Sequence, residues 1–207
     1  MTFLNQVQAL TGLTIGATPT NAQLSQFLHD GVIDVTNRCI ALKPEDAYLF
    51  QRVTSPDTTS NNSLSVKGRI LRVVRETGAA NEWRKCNKIS PDLESRVVDQ
   101  DSIHYSSAQN PTYMIGDNGK MSVFPAPGSS NNGFKVYYIN SDPKRDSDAA
   151  TLAHDSEDIR FFPKEKVYLV VLYGSIQSIM LHLTTLKDPA VGGADEELTT
   201  VMDAGAI

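Results

Sequence analysis

The chain has 207 residues, of which 21% are charged and 40% hydrophobic, and a formal net charge of −5. This balance excludes a disordered or fibrous chain and gives enough length for one large or two small cores. It also argues against a dedicated nucleic-acid binder, although a local basic face is compatible with it.

Residues 1–5, Met-Thr-Phe-Leu-Asn, lack the basic and apolar regions of a signal peptide, so none is expected. Cys39 and Cys86 lie far apart and outside any C-x-x-C pair. They read as reduced, partly buried thiols, with a pairing between them left open by spacing alone.

In chain order, Phe3, Val7 and Leu10 repeat at helical spacing over residues 2–11, and Gly12 stands where a left-handed C-cap belongs. Thr20 with Gln23 makes a capping box. From there Leu24, Phe27, Leu28, Val32, Val35, Cys39 and Leu42 keep one apolar face, and Pro44 sets the end of a second, long helix. Pro44-Glu45-Asp46 opens a short third helix carrying Tyr48, Leu49 and Phe50. Residues 54–63 are a polar loop that ends the first helical block.

From Leu64 the period changes to two. Leu64, Val66, Gly68, Ile70, Leu71, Val73 and Val74 predict one long strand, and residues 82–89, with Trp83, a returning second strand. Ser90-Pro91-Asp92 opens a short helix to about Val98. Thr112-Tyr113-Met114-Ile115 and Met121-Ser122-Val123-Phe124 flank Asp117-Asn118-Gly119, a strong hairpin signal. A further strand covers 134–139, and residues 142–158 are acidic and loop-like.

The longest element is the helix expected over 163–187, which carries two apolar faces. Leu169, Leu172, Tyr173, Ile176, Ile179, Met180, Leu183 and Leu186 form a broad stripe suited to a core. Val167, Val170, Val171, Gly174, Ser178 and Leu181 form a slimmer face where another backbone can approach, which reads as a subunit interface. Gly174, Ser175, Gln177, Ser178 and His182 interrupt the run, which argues against a membrane span. Asp188-Pro189 breaks the helix and Gly192-Gly193 loosens the chain. Leu198, Val201, Met202 and Ile207 then belong to a terminal arm that docks on a partner or remains a surface tail.

Four domains follow: 1–53, an N-terminal helical block; 54–142, an inserted β-rich unit; 143–187, an acidic loop and the long helix completing the bundle; and 188–207, the arm. The fold class is α+β, a helical bundle of two long amphipathic helices plus short ones, with an inserted antiparallel β unit.

No catalytic, cofactor or metal constellation stands out. Residues 116–121 have the wrong spacing for a phosphate-binding loop, Gly174-Ser175 lies inside a helix, and His29, His104, His154 and His182 are scattered. Asp146, Asp148, Asp155, Glu157 and Asp158 only partly match a calcium loop, because Ala150 and Thr151 replace its fifth and sixth positions. Lys67, Arg69, Arg72, Arg75, Arg84, Lys85 and Lys88 make a basic ribbon on the two proposed strands, expected to face protein or solvent.

The succession ATPTNAQLSQFLHDGVIDVTNR, LSVKGRILRV, CNKIS, NPTYMIGDNGKMSVFPAP, KVYYINSDP and FFPKEKVYLVVLYGSIQSIMLHL resembles the head-to-tail adaptor (connector, neck) proteins of tailed bacteriophages over residues 17–186. The resemblance implies a non-enzymatic virion protein without cofactor, located in the neck between capsid and tail and assembled in the host cytoplasm. It further implies a ring of about twelve copies on the portal protein, contacting the tail or next neck protein, with double-stranded DNA passing through the lumen and no membrane. A head-closure or tail-terminator protein, or a DNA-binding module using the basic ribbon, is the alternative.

Overall fold

The structure, a computed structural model, describes residues 1–54, 68–79, 81–116, 119–128, 131–146 and 148–186. It is of the α+β class. Contacts divide the chain into two compact units, Met1–Leu49 with Pro143–Ile207, and Phe50–Asp142.

Capping chemistry sets the two helices that open the first unit. In α1 (Phe3–Thr11) the Thr2 side chain accepts from the Asn5 N–H, and Gly12 closes the helix at φ +69°. Two further N–H groups of its first turn donate to carbonyls of the acidic segment, Phe3 to Ser156 at 2.9 Å and Leu4 to His154 at 2.8 Å. In α2 (Asn21–Leu42) both halves of the Thr20–Gln23 capping box form, and Lys43 is the C-cap. The chain continues as a 3-10 helix over Pro44–Phe50, where a short third helix was expected.

The expected last helix also starts in 3-10 form, at Lys164–Lys166, and becomes α4 (Val167–Leu186), about 30 Å long at 1.5 Å per residue. Phe161, at φ 56°, turns the chain just before it, leaving its own ring exposed while Phe162 is buried. By length and composition the stretch Lys164–Leu186 could cross a bilayer, since an 18-residue window within it has mean hydropathy 1.5, so the polar interruptions do not disqualify it.

The slim face of α4 turns inward, against α1 and α2, which both pack on this helix. Val170, Val171, Gly174, Ser175 and Ser178 are its buried residues. Two glycines permit the approach. A Cβ on Gly174 would lie 3.3 Å from Leu28 Cδ2, and a Cβ on Gly31 of α2 would lie 3.0 Å from Tyr173 Cδ1. Each helix thus offers a glycine to a bulky side chain of the other. The hydroxyls stay satisfied within α4, Ser175 donating to Val171 O at 2.8 Å and Ser178 to Gly174 O at 2.7 Å. Phe3, Val7, Leu24, Leu28 and Val170 are fully buried, each contributing about 1.5–3 kcal/mol by leaving water.

The second unit begins at Phe50, and its first strand, β1 (Gln51–Val53), pairs with β7 (Phe134–Asn140). β2 (Gly68–Glu76) and β3 (Trp83–Lys85) complete a four-stranded antiparallel sheet in the order β1-β7-β2-β3. The expected second strand does not run through to Ile89. It splits at Cys86, whose N–H donates to Val73 O at 2.9 Å, while the next N–H, of Asn87, donates to Pro111 O.

Beyond that switch, β4 (Asn87–Lys88) joins β5 (Thr112–Ile115) and β6 (Met121–Phe124) in a separate sheet. The hairpin β5–β6 pairs Thr112 with Phe124 and Ile115 with Met121. β4 runs parallel to β5, so this unit is not wholly antiparallel as expected.

Val73, Phe134, Val136 and Tyr138 from the first sheet meet Met121 and Val123 from the second, with Cys86 among them. On the far side of the small sheet, α3 (Glu94–Val98) contributes Val97 to a second cluster with Met114 and Phe124.

The inward position of the slim face generates a test. Gly174→Leu has no room against Leu28, so it is expected to destabilise the monomer by about 1–3 kcal/mol through overpacking. Urea unfolding followed by circular dichroism measures this; an unchanged midpoint would refute the packing described.

Candidate interaction surfaces

This packing places the residues expected to form a subunit interface within the chain itself. Val170, Val171, Gly174 and Ser178 are buried within the chain, and Val167 and Leu181 are half-buried. The face left open carries five residues of the stripe assigned to the core together with Tyr168, while Leu169, Tyr173 and Leu186 of that stripe are half-buried. Tyr168, Leu172, Ile176, Ile179, Met180 and Leu183 are all exposed, Tyr168 to 60% and Ile176 and Met180 to 56% each. At steps of three and four residues they form one continuous apolar stripe along α4. Near the start of α4 the stripe meets a groove of about 390 Å³ lined by Met1, Ala9, Leu10, Tyr168, Val171 and Leu172. Leu10, which continues the helical spacing of Phe3 and Val7, is 59% exposed there.

The basic ribbon is broken up by the sheets. Lys67 lies outside the described residues, as does the terminal arm with Leu198, Val201, Met202 and Ile207. Lys88 falls on β4, in the other sheet, and Arg84 pairs with Glu82 at 2.7 Å.

Arg75 points the opposite way from Arg72, on the side of Val73, and is 3% exposed. Its guanidinium donates to the carbonyls of Glu76, Pro125 and Ala126 and to Asn132 Oδ1, at 2.8 Å for Pro125. Burial holds its pKa below the ordinary arginine value, with the nearby Cys86 and Glu76 acting in the opposite direction.

What remains of the ribbon forms a face that the sequence only partly showed. Register places Arg69 and Arg72 of β2, Lys85 of β3 and Lys135 of β7 on the side of the four-stranded sheet opposite its core. The Arg72 guanidinium stacks over Tyr137 at 4.8 Å, and Lys135 Nζ lies 4.0 Å above Trp83. Lys135 is the member the sequence reading missed. Its signal was the alternation Phe134, Val136, Tyr138 against Lys135 and Tyr137.

The acidic segment folds around Arg145, which pairs with Asp148 at 2.7 Å and Asp155 at 3.5 Å. Asp148 is held below the usual carboxylate range, first by the Ala150 N–H and then by Arg145. A groove of about 210 Å³ is lined by Arg145, Asp146, Asp155, Ser156, Glu157 and Asp158. Among the described residues no group of three or more His, Cys, Asp or Glu is placed to hold a metal ion. His154 Nδ1 lies 3.3 Å from Ser25 Oγ, whereas the buried Nδ1 atoms of His29 and His182 have no hydrogen-bond partner.

No protein-family model matches this sequence, and no curated protein matches it either.

Both cysteines are free thiols, Cys39 half-buried and Cys86 buried. Burial pushes the Cys86 thiol up to about 12 from an ordinary value of 9.0, and Arg75 only partly counters this. Between these values the folded state holds a proton that the unfolded chain releases. The stabilisation is therefore complete below pH 9.0 and is lost as pH rises towards about 12. At pH 8 a thiol reagent is expected to modify Cys39 in the native protein and both cysteines after denaturation. Rapid native modification of Cys86 in a C39S background would contradict its burial.

Proposed function

We propose that this protein is a structural virion subunit of a tailed-bacteriophage neck, an adaptor that assembles as a ring of about twelve copies between portal and tail. In this reading α1, α2 and α4 form a helical bundle with the β-rich unit inserted into it. The ring extends the DNA channel and gives the tail a docking platform, and the terminal arm reaches the portal or a neighbouring copy.

The observation that carries the reading is the exposed apolar stripe of α4. Six large side chains left in water along one helix mark a surface meant to be covered. A second copy is the occupant that fits an assembly of identical subunits, because a ring joins different faces of the same chain. The order of elements from α2 through the hairpin to α4, which resembles the adaptor proteins, supports the same assignment.

Light scattering and electron microscopy of the purified chain, alone and with portal, test this. Closed rings of one size are expected. Ile176→Lys with Ile179→Lys is expected to leave helical content unchanged and weaken assembly by about tenfold or more, since each buried aliphatic side chain contributes about 1.5–3 kcal/mol. A chain that stays monomeric on portal, or one that partitions into lipid vesicles through α4, would sink the proposal.

A further inference from the structure

We infer that the basic and aromatic face of the four-stranded sheet docks on the acidic groove of a second copy of this chain. The inference rests on the ring reading above and supplies a polar contact that the apolar stripe does not.

Arg69, Arg72, Lys85 and Lys135 share one sheet face, and among the described residues none of them pairs with a carboxylate. Two of the four are held in place, Arg72 over Tyr137 and Lys135 over Trp83. Long cationic side chains lose rotamer freedom on binding, so parking them on rings in advance removes part of that cost. A solvated edge kept soluble by charge has no need of such fixing.

The opposite sign is present on the same chain. In the groove of the acidic segment, Arg145 is neutralised by Asp148 and Asp155, and Glu157 lies 3.1 Å from the amino terminus. Asp146 and Asp158 are exposed and have no ion pair among the described residues. Unpaired cations on one surface and unpaired carboxylates in a groove on another are complementary between copies. A contact between two different surfaces of identical chains propagates in one sense and closes into a ring or runs on as a filament. Nucleic acid is the other polyanion the face could meet, but a net charge of −5 repels DNA at a distance.

The test uses the full chain at low and high salt, about 50 and 500 mM, with the assembly midpoint read by sedimentation velocity. Wild type is expected to assemble less readily at high salt. Arg72→Glu with Lys135→Glu, and separately Asp146→Lys with Asp158→Lys, are each expected to raise the midpoint by about tenfold at low salt. Mixed in equal amounts, the two variants are expected to recover wild-type assembly, because each then offers the sign the other lacks.

If the basic-face variant does not fold, the groove variant alone decides the matter by losing salt-sensitive assembly. Wild-type assembly in both variants would overturn this inference and leave the ring reading standing. Wild-type assembly with loss of a retained DNA duplex in the basic-face variant would reassign the face to nucleic acid. A wild type that is monomeric at every salt concentration would overturn both readings.

Discussion

The close approach of α2 and α4 is the constraint on which the first unit depends. Gly31 admits Tyr173 and Gly174 admits Leu28, and both contacts are tight enough that an added methyl would displace its neighbour. Once these helices meet through Tyr173 and the slim face of α4, the remaining bulky residues Leu172, Ile176, Ile179, Met180 and Leu183 are left outward. The exposed stripe is therefore a consequence of the core, and surface chemistry alone would not have produced it.

Local chemistry was well written in the sequence, and partner choice was not. The caps of α1 and α2 and the β5–β6 hairpin are visible because each depends on a few neighbouring residues: Thr2 and Gly12, Thr20 and Gln23, and the turn after Ile115. The orientation of α4 is different in kind. Periodicity separates its two apolar faces but does not say which one meets another helix. Gly31, a glycine inside α2, marks a close approach, but the side chain it admits is Tyr173 of the broad stripe, so it does not by itself select the slim face.

The β unit shows the same division. A continuous run from Glu82 to Ile89 suggested one strand, yet the chain changes sheets at Cys86, where successive N–H groups, of Cys86 and Asn87, donate to Val73 of β2 and to Pro111 just before β5. The parallel pairing of β4 with β5 depends on the loop between Val98 and Thr112, whose path no local rule determines. Among the cations, alternation along β2 separates Arg75 from Arg72, but it would also have separated Arg69 from Arg72, which the bulge between Ile70 and Arg72 brings to one face. The candidate surfaces were thus legible as composition, and their placement required the register.

Arg75 has a consequence for how the second unit comes apart. Its guanidinium is tied to β2 at one end of the bond network and to the stretch after β6, at Pro125, Ala126 and Asn132, at the other. Peeling that stretch from the sheet would take three acceptors from a buried cation, so partial opening carries a cost that the intact network avoids. The two sheets should consequently melt in a single cooperative step, and the exit of the hairpin should be as slow to exchange its amide protons as the strands themselves.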